Sequence, residues 1–189
     1  MERLNSFMKE INLRPILEFC QEHGRIVNYA KGERFANQGE VCRVIGVVQS
    51  GYFKYIAHDS NDEEHVTGFS FTGEVVCDYI RSFLFNLPSM TSIVAGNNAS
   101  VLQVPVANAR QHMQATIPDF VENATQVMLH EAYRRYLDIM TMTPAERYAI
   151  LHSHYGHVID TVSYQELASY LNISRRQLQR IRENFRSSQ

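Results

Sequence analysis

The sequence lacks any apolar run long enough to cross a bilayer. Its longest, such as Val44 to Val48, stop at about five residues, against the ~20 that a spanning helix needs. Met1-Glu2-Arg3 leads into mixed polar residues, without the apolar core of a secretory leader, so a soluble, cytoplasmic protein with no membrane partner is expected. Cysteine is scarce: Cys20, Cys42 and Cys77 are odd in number, scattered and free of any C-x-x-C pair. That argues against a disulfide framework, a zinc site or an iron–sulfur ligand set, and reads as small buried thiols. No Gly-rich phosphate loop and no nucleophile with its base can be assembled, so neither an enzyme nor a cofactor is expected. Internal repeats and low-complexity segments are absent as well.

What is present is a chain of 189 residues, 44% apolar, enough to bury a core in one large or two small domains. Its net charge of −2 is unevenly spread. From Thr143 onward six Arg face four acids, giving +2, while the remaining 12 basic and 16 acidic residues give −4. Within Ser174 to Gln189 five Arg face one Glu. A basic tip on an acidic body suits a surface that meets phosphates.

The order of elements predicts an α+β protein. Leu4, Phe7, Met8 and Ile11 recur at helical spacing, and Pro15 interrupts or restarts that helix. From Arg25 to Pro105 come short β-branched and aromatic runs, IVNY, VIGVV, YFKYIA, VTGFSF, SIVA and VLQV, punctuated by glycines and by the polar turn HDSNDEE. Such runs predict an antiparallel roll or barrel. A helix of about 24 residues, some 36 Å long, is expected from Pro118. Val121, Ala124, Met128, Ala132, Tyr136 and Ile139 recur along it at steps of 3, 4, 4, 4 and 3. Part of that stripe is expected to pack on the roll and part on a second copy of the same helix. Thr143-Pro144-Ala145-Glu146 then stops this helix and caps a new one. The expected division is residues 1–117 as the roll, 118–142 as the dimerisation helix and 143–189 as a helical domain.

The most specific signal is VSYQELASYLNISRRQLQRIRENF, residues 162–185. Ser163 with Glu166 makes one capping box, and Ser174 with Gln177 makes another eleven residues later. Leu167, Ala168 and Leu171 form the inner face of the first helix, Leu178 and Ile181 that of the second. Asn172 sits in the tight turn, where a left-handed backbone suits Gly or Asn. This pattern predicts a helix-turn-helix. Arg175, Arg176, Gln179, Arg180 and Arg182 are then left facing outward. In such a unit the amino end of the second helix enters the major groove, where Arg pairs with guanine and Gln with adenine. Ser163, Gln165, Ser174 and Gln177 complete the expected DNA-facing set.

In this order, the segments KGERFANQGEVCRVIGVVQSGYFK, GEVVCDY, TPAERY and ELASYLNISRRQLQRIR make the chain resemble the transcription regulators of the cyclic-AMP receptor protein and fumarate-nitrate regulator (Crp/Fnr) family. The likeness covers nearly all of it. It implies a homodimer on double-stranded DNA, a palindromic operator, RNA polymerase as a further partner, and a roll that senses a small molecule or none. It places Ser174, Arg175, Arg176 and Arg180 at phosphate- and base-contacting positions. There are two departures. Much of the β-hairpin wing that follows the recognition helix in many members is expected to be missing. Cyclic-nucleotide binders also follow Gly-Glu with an Arg-Ser or Arg-Thr pair. Gly73 and Glu74 match, but Met90-Thr91 stands where that pair belongs, and a thioether cannot neutralise a phosphate. The expected effector region is Gly73, Glu74, Val75, Arg81, Met90, Thr91, Ser92 and, from the long helix, Tyr133. Arg81, on a short helix spanning Asp78 to Leu84, is the substitute cation, with a local pairing to Asp78 or solvent as the plainer reading. Cyclic AMP is not an expected ligand.

A rival reading is a cupin-like roll that binds a metal or small molecule, or an enzyme, with its basic tail as an interaction surface. His58, Asp62, Glu63, Glu64 and His65 cluster, but in a hairpin turn rather than converging from several strands, so no metal is expected there. His152, His154 and His157 read as a linker. In a third reading the basic end binds acidic proteins.

Overall fold

In the computed structural model, which describes residues 5–154 and 156–187, Pro15 restarts the chain as a helix. A 3-10 turn over Ser6–Glu10 precedes α1, Arg14–His23, whose first turn holds Pro15, where its missing amide hydrogen costs no helical bond. Leu4 and the side chains of Phe7, His154 and His157, named above, lie outside the described residues. Two compact units are present: Met8–Met128, and Leu129–Gln189 with Met1–Phe7.

The first unit is built on eight described strands: β1 Arg25–Tyr29, β2 Arg34–Ala36, β3 Val44–Ser50, β4 Tyr52–His58, β5 Glu64–Phe71, β6 Val75–Val76, β7 Ser92–Ala95 and β8 Ala99–Pro105. They make two antiparallel sheets, ordered β1-β8-β3-β6 and β2-β7-β4-β5. Their inner faces meet in an aromatic cluster, Tyr29, Phe35 and Phe53, with ring centroids 5.4 to 5.8 Å apart, packed among Val48, Val76, Ile93 and Val101. β3 is apolar on both faces because it is covered on both, and Gly46 sits where a Cβ would lie 2.5 Å from the Val101 side chain.

A second cluster joins Ile16 and Cys20 of α1 to Ile45, Cys77, Tyr79 and Phe83, and to two further helices. One is α2, Val106–Thr116, with Val106, Ala109 and Met113 buried. The other is α3, Phe120–Thr141, which contributes Phe120 and Ala124. At 22 residues α3 is shorter than expected; Pro118 and Asp119 form the turn before it, and the Asp119 carbonyl accepts the Asn123 amide at 3.0 Å.

The second unit continues with α4 Pro144–His154, α5 Gly156–Thr161, α6 Tyr164–Tyr170 and α7 Arg175–Ser187. Thr143 and Glu146 cap α4 as expected, at 2.8 and 3.3 Å. The histidine run is helical, not a linker: positions 152 and 154 fall in α4 and position 157 in α5. The His152 ring lies 4.7 Å from that of Phe185. The architecture is α+β: an antiparallel roll, a long helix and a helical carboxyl-terminal region. No described helix is long and apolar enough to cross a membrane.

Candidate nucleic-acid interface and effector region

The turn between α6 and α7 is set by Asn172, whose φ is +53°. The Asn172 amide donates to the Ser169 carbonyl at 2.9 Å and the Ile173 amide to that of Ala168 at 3.0 Å. These two bonds close α6 as a left-handed cap does. Arg147 reinforces the corner, donating to the Leu171 carbonyl at 3.0 Å and to that of Met142 at 2.7 Å. At the other ends, Ser163 and Glu166 exchange bonds of 2.9 and 3.2 Å, and Ser174 and Gln177 do the same. The hydroxyls of both serines are thus engaged with the helix they start.

Leu167, Ala168, Leu171 and Leu178 are buried. Gln165, Arg175, Arg176, Gln177, Gln179 and Arg180 are exposed, and Gln179 donates to Glu183 at 3.0 Å. Arg182 departs from the expected outward row: its guanidinium lies over the Tyr164 ring, 5.4 Å from the centroid. The exposed cations therefore concentrate in the first turns of α7.

The expected dimer stripe divides in two. Ala124 is buried, and Val121 and Met128 pack against the same cluster, whereas Ala132, Tyr136 and Ile139 are exposed. Beyond them an apolar seam of Leu129, Tyr133, Tyr136 and Met140 lies exposed at steps of four, three and four.

In the roll, Gly73 takes φ +85° in the β5–β6 turn, a backbone that side-chain-bearing residues disfavour. The Glu74 carboxylate accepts the Phe71 amide at 3.0 Å. Val75 pairs with Val47, and its carbonyl accepts the Ser70 hydroxyl at 3.0 Å. The short helix expected from Asp78 is a π-helical turn, Tyr79–Leu84, capped by Asp78 through the Ser82 amide at 3.0 Å. The acid at its start is thus Asp78, four residues beyond Glu74. Arg81 pairs with neither acid; its Nε donates to the Pro88 carbonyl at 3.0 Å. Met90 is 67% exposed. The Thr91 amide donates to the Ser89 hydroxyl at 3.2 Å, while buried Ser92 accepts the Gln38 amide at 3.0 Å and an Arg34 guanidinium N–H at 3.4 Å. Tyr133 belongs to the other unit and stacks on Tyr136, with centroids 6.5 Å apart.

In the β4–β5 hairpin Asp59, Glu63 and His65 lie within ligand reach of one another. The Asp59 carboxylate there accepts the Asn61 and Glu63 amides and meets His65 Nε2 at 3.1 Å. Those bonds, the Glu63 amide foremost, hold it below its ordinary range and account for the cluster as a turn.

No family model matches the sequence, and no curated protein matches it. Solved structures match over nearly the whole chain. CLP of Xanthomonas campestris, a c-di-GMP-responsive global regulator, is 18% identical, with 94% of this chain and 93% of that one covered at a TM-score of 0.64. FixK2 of Bradyrhizobium japonicum is 18% identical, with 87% and 85% covered at 0.62. The catabolite activator protein of Thermus thermophilus is 14% identical, with 96% and 87% covered at 0.55. The fold is that of the Crp/Fnr regulators.

Within the Crp/Fnr fold, one cation near the expected effector residues escaped the sequence reading. Arg34, on β2, is brought to Ser92 by the antiparallel pairing of β2 with β7. No spacing signal links residues 58 apart in the chain. The helix-turn-helix of this fold was read correctly because each of its turns is a local hydrogen-bond event. The contact of Arg34 with Ser92 is made across paired strands, which local patterns do not report.

Proposed function

We propose that this chain is a sequence-specific DNA-binding transcription regulator, acting as a homodimer on a palindromic operator. One observation carries the reading: Arg175, Arg176, Gln179 and Arg180 are exposed at the capped amino end of α7, the second helix of a helix-turn-helix. Guanidinium and amide side chains there match the donor and acceptor edges of guanine and adenine in a major groove. Selection from a random duplex pool is expected to enrich a palindrome. Arg180→Ala is expected to cost about 1–3 kcal/mol on that site and to relax preference at one base pair, whereas loss of a phosphate contact weakens all sequences alike. A pool with no enriched sequence would overturn the reading.

The roll is proposed to take neither cyclic AMP nor cyclic GMP. Met90 supplies no charge, Arg81 is held by the Pro88 carbonyl, and Arg34 is exposed and divided between Ser92 and Asn37. The roll interior is filled by Tyr29, Phe35 and Phe53. Burying a cyclic phosphate without a paired cation costs several kcal/mol. Calorimetry with either nucleotide is expected to give no saturable heat at micromolar concentration, and micromolar binding would overturn this part.

A further inference from the structure

Arg182 sits where two faces of α7 meet. It stands four residues beyond buried Leu178 and seven beyond exposed Arg175. On a helix of about 3.6 residues per turn it therefore lies between the side that packs inward and the side that carries the leading cations. Its side chain is half-buried, and its guanidinium carbon rests 5.4 Å from the centroid of the Tyr164 ring. Tyr164 is the first residue of α6, directly after the capping serine. A charge on the second helix of the pair is thus held at the start of the first.

What that guanidinium lacks is an acceptor. A ring face attracts a cation through its quadrupole, but it offers no carboxylate or carbonyl to the five N–H groups of arginine. No described residue gives Arg182 a hydrogen bond or an ion pair. Glu183, the one acid beside the five arginines of Ser174 to Gln189, accepts from Gln179 at 3.0 Å instead. Arg147 and Arg134 of the same unit are different. Arg147 donates to the Met142 and Leu171 carbonyls, and Arg134 holds Glu131 and Asp138 at 2.7 and 2.6 Å. Those two guanidinium groups are used by the fold. Arg182 is held on one face and unused along its edge, and that edge is the part of a guanidinium that binds an oxyanion.

We propose, resting on the reading of this chain as a DNA binder, that Arg182 on the Tyr164 ring is a clamp for a backbone phosphate of the duplex. In a helix-turn-helix the amino end of the second helix enters the groove, while the first helix crosses the backbone. Arg175, Arg176 and Arg180 belong to the first of these surfaces. Arg182, two turns beyond Arg175 and placed at the start of α6, belongs to the second. It adds affinity for any duplex and carries no base preference. Tyr164 is a positioning residue: it holds the long side chain in its binding pose before DNA arrives, so less rotamer freedom is lost on binding.

The test uses the full chain on two duplexes, the palindrome that selection yields and an unrelated sequence, with binding followed by fluorescence anisotropy across a salt series. Arg182→Gln is expected to weaken both duplexes alike, by about tenfold for each protomer bound. It is also expected to flatten the fall of log K with log salt by about 0.9 per protomer, with the preference between the two duplexes unchanged. Arg182→Lys keeps the charge without the planar fork, and is expected to keep the salt slope while losing part of the affinity. Tyr164→Leu, with the arginine intact, is expected to lose affinity severalfold at an unchanged slope. Arg135 lies 4.8 Å over the Tyr170 ring at the other end of α6, so Arg135→Gln is the control for a lost cation–ring contact and is expected to leave the slope as it was. Arg182→Gln with an unchanged slope, a loss confined to the palindrome, or the same change of slope from Arg135→Gln would overturn the clamp. A wild-type chain that binds neither duplex would instead remove the DNA reading, and the clamp with it.

Discussion

Tyr79 carries a hydroxyl into an apolar layer. Its ring stacks on Phe83 at 5.2 Å and meets Phe120 edge-on at 6.2 Å, while its hydroxyl has no hydrogen-bond partner among the described residues. A buried, unpaired hydroxyl costs more than it returns, because the water it left is not replaced. Tyr79→Phe keeps the ring and removes the hydroxyl. It is expected to raise stability by on the order of 1 kcal/mol, roughly 2–4 °C in Tm for a chain of this size; a lower Tm in a thermal melt would mean that the hydroxyl is paired in solution. Asn172 is the opposite case, a residue chosen for its backbone. Asn172→Ala is expected to cost about 1 kcal/mol in chemical denaturation, because at φ +53° alanine keeps the Cβ strain of a left-handed backbone without the short polar side chain that offsets it in Asn. Asn172→Gly should keep most of that stability, and equal losses in the two variants would remove the left-handed turn as the cause. Asn172 was legible in the sequence because few residues tolerate that conformation. Glu74 was legible as a turn acid and Asp78 as the start of a short helix, but not the π-helical form of that turn, which Asp78 caps through the Ser82 amide.

At the scale of elements, legibility follows the punctuation. The starts of α4, α6 and α7 were readable because Thr143, Ser163 and Ser174 each exchange bonds with an acid or amide three residues on. α2 went unread for the converse reason: Pro105 stands at its cap with no side-chain bond, and Val106 continues the apolar run of β8. β2 and β6, of three and two residues, are too short for any alternation to register. They exist through their partners, β7 and β3, which is tertiary information. The cap of α6 matters beyond its own helix, because it fixes where the turn before α7 begins. Ser163→Ala is expected to cost about 1 kcal/mol of stability. Circular dichroism melts check the cost, and an unchanged melt would mean that Glu166, buried beside it, holds the helix start without the serine.

For the whole molecule the decisive geometry is along α3. Leu129, Tyr133 and Tyr136 each stand nine residues beyond Phe120, Ala124 and Val127, two and a half turns of a helix with about 3.6 residues per turn. They therefore occupy the side opposite the one that packs on the roll. Their spacing, completed by Met140, alternates steps of four and three, the repeat of helices that pair side by side. Leu129 and Met140 are 68% and 66% exposed in the single chain, a large apolar outlay for a surface that faces water. A second copy of α3 would cover it, and two linked α7 helices would then read half-sites about 34 Å apart, one turn of DNA. The double substitution Leu129→Glu with Met140→Glu sets like charges across that seam, at a cost of several kcal/mol to association and about a hundredfold or more in dimer Kd. Neither residue is buried in the single chain, so its circular dichroism is expected to hold. Light scattering at micromolar concentration is expected to show a dimer for the unaltered chain and a monomer for the variant, and binding to the selected palindrome is expected to fall with it. A variant that remains dimeric would move the interface off this seam, and an unaltered chain that is monomeric would remove the dimer itself.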